Sequence, residues 1–148
     1  MKYEIDYLVN ERDHRLSIEL TGEKRFDDCF FILSRYTFND RLSLSVYSFS
    51  EGAVMKLTTN LPQYPLADPA DAFVDENNCP GAKDFLVENG FAKDLDREEG
   101  SGYCIYPLVR LDLEKIIPYM ARSEQQTWRD YLDEKGVDRD AGRADQEE

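Results

Sequence analysis

Few residues in this sequence have the type and spacing to do chemistry, and most of them stand close together. Asp75, Glu76, Asn77 and Asn78 follow the apolar pair Phe73-Val74 and lead into Cys79-Pro80-Gly81; Ser101, Gly102 and Tyr103 come after an acidic run further on. Asp75, Asn77, Asn78, Ser101 and Tyr103 carry the carboxylate, amide and hydroxyl groups of a polar binding pocket, if the glycines flanking Ser101 bend the chain back beside the asparagines. The same short side chains hydrogen-bond to neighbouring backbone and tolerate left-handed conformation, so they equally make a fixed turn with a helix N-cap. Asp71, Asp75 and Glu76 are hard oxygen ligands, but the spacing of a calcium loop is missing and no metal is expected.

Cys79 is the candidate nucleophile. Its context places it exposed at a helix start, where a thiol pKa falls, and a small enzyme using Cys79 or Asp75 is one reading. His14 is the lone histidine. It sits among Glu11, Arg12, Asp13 and Arg15, which reads as a solvated turn, although any Ser-His or Cys-His hydrolase would have to use it. Phosphate-cradling glycine loops and the HExxH zinc motif are lacking, so no catalytic residue and no cofactor is assigned. Cys29 and Cys104 lie in apolar strings and read as core side chains. Three cysteines without a CxxC pair argue against zinc and for reduced thiols in a cytoplasm. The opening MKYEIDYLVN has no signal-peptide core.

The elements that must hold these groups are legible from periodicity. Residues 3–9 and 14–21 alternate apolar and polar side chains, as half-buried strands do. In 27–36 the run Phe30-Phe31-Ile32-Leu33 favours a third strand, against the helix that Asp27 as an N-cap would open. Leu42, Leu44 and Val46 alternate with serines, and the phase slips at Tyr47 and Phe49, which predicts a bulge. Glu51-Gly52-Ala53 turns the chain into a strand over 54–60, closing a hairpin. Pro62, Pro65 and Pro69 make a crossing loop, anchored by Leu61, Tyr64 and Leu66, with Phe73 and Val74 as further apolar anchors.

From Cys79 to Gly90 a short helix is expected. Asn78 or Cys79 is its N-cap, Pro80 its first residue, and Gly90 stands just past its end. Phe85 and Leu86 face the core, and Lys83 pairs with Asp84 or Glu88. The polar run 93–102 reads as an exposed loop and 103–111 as a strand, with Pro107 at an edge, bulge or end. A helical turn over 113–120 follows. Ser123 and Gln126 have the spacing of a capping box, and Trp128, Tyr131 and Leu132 form the packed stripe of a helix over 123–134. The acidic tail 135–148 reads as disordered. The fold class is α+β: one domain over residues 1–134, with a mainly antiparallel sheet of five to six strands and two to three helices.

Lysine and arginine number 18 against 31 acidic residues, a net charge of -13. Residues 1–60 carry 8 basic and 10 acidic side chains (net -2), residues 61–111 carry 4 and 10 (net -6), and residues 112–148 carry 6 and 11 (net -5). The excess therefore lies in the second half. Such a surface repels nucleic acid and anionic membrane, and no apolar run nears the roughly 20 residues of a membrane helix. It either solubilises the chain or steers a basic partner.

The strings Phe73-Val74-Asp75-Glu76-Asn77-Asn78, Phe85-Leu86, Asn89-Gly90, Ser101-Gly102-Tyr103 and Tyr106-Pro107-Leu108, with Leu57-Thr58-Thr59-Asn60-Leu61-Pro62 upstream, resemble an uncharacterised domain-of-unknown-function family. Its members are small acidic proteins on conjugative elements and phages of gut Firmicutes. The resemblance spans residues 42–112. It implies a compact single domain in a mobile-element setting, where accessory and anti-defence roles are common, and it transfers no catalytic residue. Missing catalytic motifs, charge asymmetry and resemblance together point to a non-enzymatic accessory protein. It would bind a protein partner, basic or DNA-binding, through its acidic second half. A DNA-mimic anti-defence protein is the alternative.

Overall fold

In Leu16–Ile18 apolar and polar residues alternate, and the side chains follow: Leu16 and Ile18 are buried, Ser17 exposed. This is strand β1 in the computed structural model, which describes residues 15–135. The chain continues through β2 (Phe26–Arg35), β3 (Leu42–Ser48), β4 (Gly52–Lys56), β5 (Thr58–Thr59), β6 (Asp71–Val74), α1 (Ala82–Glu88), β7 (Ala92–Ser101), β8 (Cys104–Leu111), α2 (Leu113–Ile116), a 3-10 turn (Ile117–Tyr119) and α3 (Arg122–Lys135). The fold is α+β, as the sequence predicts. Among the described residues, the strands of the expected sheet of five to six are instead divided between two antiparallel sheets of four, ordered β1-β2-β3-β4 and β5-β6-β8-β7.

The first sheet follows the sequence pattern closely. β2 is a strand, and Asp27 caps no helix: its carboxylate accepts from Ser17 Oγ (2.8 Å) and Arg25 Nε (2.9 Å). Cys29, Phe31 and Leu33 turn one face of β2 to the core, while Phe30 packs on the other with Ile32, Tyr47 and Phe49. The slip expected in β3 is present as a register shift between Val46 and Tyr47. Gly52, at φ 85°, supplies the left-handed residue of the β3–β4 turn.

The strand expected over 54–60 is divided. At Leu57 the chain leaves the first sheet and enters the second. Leu57 N–H donates to Leu44 O in β3 (2.9 Å), and Leu57 O accepts from Asp75 N–H (2.8 Å) just beyond β6. The Thr58 hydroxyl accepts from Leu44 N–H (3.0 Å). Leu57 is fully buried, in a core cluster fed by both sheets and all three helices.

Two further elements differ from the sequence expectation. Phe73 and Val74 are not loop anchors but lie in β6, a central strand paired with β5 and β8. Residues 93–102 are not a loop but almost all of β7, which pairs with β8 from Ala92↔Leu111 to Ser101↔Cys104. β7 is an edge strand with only Ala92 buried, so it has no apolar stripe for periodicity to detect. Its pairing comes from β8. Acidic side chains and a bulge between Asp94 and Arg97 protect the edge. Pro107 is tolerated inside β8 because β6 pairs with that strand only from Leu108 onwards.

Phe91 ties the layers together through edge contacts with Phe31 (5.0 Å) and Tyr119 (5.3 Å). In α3 the stripe Trp128, Tyr131 and Leu132 packs on the body of the domain, as expected. The helix begins at Arg122, one residue before Ser123, so the expected capping box is displaced; the Gln125 side chain reaches back to Met120 O (3.0 Å). The remaining tail 136–148, strand 3–9 and His14 lie outside the described residues.

If Leu57 joins the sheets, Leu57→Ala lowers stability by about 2–5 kcal/mol. Urea unfolding followed by far-UV circular dichroism and Trp128 fluorescence will then show one shared, earlier transition. Unfolding of one sheet well before the other contradicts a common seam.

Candidate functional site

The stretch that looks most chemical in sequence hangs from that seam. Asp75 N–H bonds Leu57 O, and the Cys79 thiol donates to Lys56 O (3.3 Å). Between them the chain closes on itself. Asp75 Oδ1 accepts from Asn78 N–H (3.2 Å), Asp75 Oδ2 from Asn78 Nδ2 (2.8 Å), and Asp75 O from Cys79 N–H (2.8 Å). These are the bonds of a built turn. The helix cap is neither Asn78 nor Cys79, and Pro80 is not the first helical residue. The N-cap is Gly81, in the left-handed region at φ 93°, with no capping side chain of its own.

Glu76 supplies what Gly81 lacks: Oε1 accepts from Gly81 N–H (3.0 Å) and Oε2 from Lys83 N–H (2.6 Å). A Cβ at Gly81 would stand 2.9 Å from the Thr21 hydroxyl, whose residue also donates its backbone N–H to Pro80 O (3.1 Å). Gly90, at φ 79°, follows the helix as expected. Lys83 pairs with Asp94 of β7 (3.3 Å) rather than with Asp84 or Glu88.

Cys79 is buried, not exposed. Burial, with Asp75, Glu23 and Glu76 nearby, pushes its thiol up to about 11. Burial raises Cys29 to about 12 in the same way, with Asp27 and Asp28 adding to it. A thiol in that state is protonated at neutral pH and is a poor nucleophile. Cys104, expected in the core, is half-buried.

Ser101 and Tyr103 lie at the tip of the β7–β8 hairpin. Phe73 stands opposite Leu108. Continuing that register brings Asp75 level with Tyr106, three residues and about 10 Å short of Tyr103. Partial burial, the Cys104 thiol and Asp75 hold the Tyr106 phenol above its usual value. The polar residues expected to form one pocket therefore divide: Asp75 and Asn78 bond each other, Asn77 is exposed, and Tyr103 projects into solvent. Among the described residues, no group of three or more His, Cys, Asp and Glu is arranged to hold a metal ion, and no helix is long and apolar enough to cross a membrane.

Sequence reasoning missed a pair of clefts that meet at Tyr131. One, of about 330 Å³, lies between the β2–β3 turn and the loop 66–69, with Asp40, Arg41 and Asp68 in its walls. The other, of about 250 Å³, lies between Arg35 and the end of α3, with Trp128, Asp130 and Glu134. Arg41 is held away from ligand duty: Nη1 donates to Leu61 O (2.8 Å) and Nη2 to Tyr64 O (2.5 Å). Tyr64 in turn donates its hydroxyl to Gly100 O, which straps the loop to the hairpin. No local motif signals these clefts, because Arg35 and Tyr131 meet only through packing.

The fold and its surfaces define a two-sheet α+β domain with built turns and open clefts. The chain belongs to the family described as domain of unknown function (DUF4313), whose model matches residues 30–131, from β2 into α3. That agrees with the expected uncharacterised domain family and extends beyond the stretch 42–112. No curated protein matches the chain. No solved structure matches it.

Glu76→Ala will cost about 0.5–2 kcal/mol, the value of a helix cap, whereas Asn77→Ala will change stability by less than about 0.5 kcal/mol; urea midpoints give both. The Cys79 thiol titrates near 9 when unfolded and near 11 when folded. Its contribution to stability is full below pH 9 and declines as pH rises towards 11, because the unfolded chain loses that proton first. Cys79→Ala will flatten that decline, and in the native protein a thiol reagent will label Cys104 before Cys79.

Proposed function

We propose that this chain is a non-enzymatic, cytoplasmic accessory protein of a mobile element, and that it docks a basic protein through its acidic second half. One observation carries this reading. Tyr103 (108% exposed) and Ile105 (60%) project from the β7–β8 hairpin, whose β7 strand also carries the exposed carboxylates of Glu98 and, further from the tip, Asp96. Large aromatic and aliphatic side chains held out in water by a paired hairpin are anchors for a partner's pocket. An acidic surround speeds encounter with a basic partner and rejects acidic ones. The cytoplasmic setting is supported by three free cysteines, and the mobile-element setting by the family resemblance in the sequence.

The enzyme reading loses its thiol, since Cys79 is buried and protonated. The DNA-mimic reading needs carboxylates turned outwards in series. Asp71 is instead buried on Arg110 (2.7 Å), Glu76 caps α1, Asp75 closes a turn and Asp94 pairs with Lys83. Among the described residues of the second half, exposed carboxylates remain on α1 (Asp84 and Glu88), on the hairpin (Asp96 and Glu98) and on α3 (Glu124, Asp130, Asp133 and Glu134).

Immobilised wild-type protein and a Tyr103→Ser/Ile105→Ser variant, challenged with a Firmicute lysate at low and high salt, test this. The expected result is a basic protein retained by the wild type, recovered about tenfold less by the variant, and released as salt rises. Equal recovery by both proteins overturns the hairpin as the docking element.

A further inference from the structure

We propose that the clefts meeting at Tyr131 receive an arginine side chain of a partner polypeptide, at a site separate from the hairpin tip. The walls carry four carboxylates, Asp40, Asp68, Asp130 and Glu134, against two guanidiniums. Arg41 is one of these, and it is engaged by the Leu61 and Tyr64 carbonyls. Asp68 Oδ1 accepts from Ala70 N–H (2.8 Å) and Asp130 Oδ1 from Gln126 Nε2 (2.9 Å), each leaving its second oxygen, and the formal balance of four carboxylates against two guanidiniums favours a cation. The floor is aromatic, with Tyr131 and Trp128 in contact at 4.9 Å between ring centroids. Carboxylates around an aromatic face match a guanidinium, which is planar, weakly hydrated and able both to stack and to donate in a fork.

The chain already demonstrates that chemistry on itself. Arg35 lies with its guanidinium carbon 5.5 Å over the Tyr131 ring. Its Nε is 3.5 Å from Asp40 Oδ1 and its Nη1 3.5 Å from Asp40 Oδ2, both at the outer limit of a hydrogen bond. The Arg35 side chain is 46% exposed. A guanidinium so loosely held is an internal occupant that an incoming arginine displaces. Phe38, 81% exposed in the same β2–β3 turn, adds an apolar contact beside the cleft for the residues flanking that arginine.

Trp128 is the chain's single tryptophan, so its fluorescence reports occupancy directly. The probes are acetyl-Gly-Arg-Gly-amide, its citrulline and glutamate counterparts, and free L-arginine. The arginine peptide is expected to give a saturable change that the citrulline and glutamate peptides do not. Asp130→Asn/Glu134→Gln will weaken it about fivefold, and Arg35→Gln will strengthen it about fivefold by removing the internal competitor. These positions are exposed, and circular dichroism checks that each variant keeps the fold. The strengthening by Arg35→Gln distinguishes displacement from a merely structural role. Weakening by Arg35→Gln, equal binding of the citrulline or glutamate peptide, or no saturable change in wild type and Arg35→Gln alike overturns the proposal. Free arginine binding as tightly as the peptide overturns the polypeptide source.

Discussion

One residue carries the constraint on which the architecture depends. Leu57 gives its N–H to the first sheet and its carbonyl to the second, with its side chain sealed in the core between them. Continuous extended chain passes through it, so the two sheets cannot separate without leaving a buried peptide group unpaired. Its neighbours repeat the arrangement. Lys56 O holds the Cys79 thiol, and the Thr58 hydroxyl takes the Leu44 N–H. The turn 75–79, the start of α1 and the seam are therefore one hydrogen-bonded unit.

That unit explains why an acidic protein keeps a stable second half. Carboxylates there are divided between two duties. Asp71 is buried and bonded to Arg110 in a fork, a pairing that fixes which residues stand opposite in β6 and β8. Asp75 and Glu76 satisfy backbone N–H groups that the tight entry to α1 leaves open. On the hairpin, Asp94 pairs with Lys83 and Glu99 with Arg97, while the exposed Asp96 and Glu98 contribute to the field at the surface. A count of acidic residues hides this division.

The loop 61–70 connects the β7–β8 hairpin with the clefts at Tyr131. Arg41 holds its carbonyls, Tyr64 holds the hairpin at Gly100, and Leu61, Tyr64 and Leu66 pack with Phe73 and Leu108. Proline density makes the loop stiff, and these contacts make it specific. The Tyr131 clefts and the hairpin tip are thus borne on one frame, with α3 closing the first and β8 supporting the second.

The elements with strong local signals are legible in the residues themselves: β2 from its aromatic run, β3 and its slip at Tyr47, the end of α1 at Gly90, and the stripe Trp128, Tyr131 and Leu132. Each is written in neighbouring residues, because strand and helix periodicity and glycine conformation are local properties. Composition and local pattern are enough for the α+β class, the acidic second half and the turn-forming nature of Asp75 and Asn78. That 93–102 is a strand follows only from the folded arrangement, since β7 has no apolar face and its pairing is supplied by β8. The division of the sheet at Leu57, the burial of Cys79 and the meeting of Arg35 with Tyr131 arise the same way. In each case the deciding partner lies outside the local window that periodicity reads, and a contact that forms only when the chain closes on itself leaves no period in the sequence.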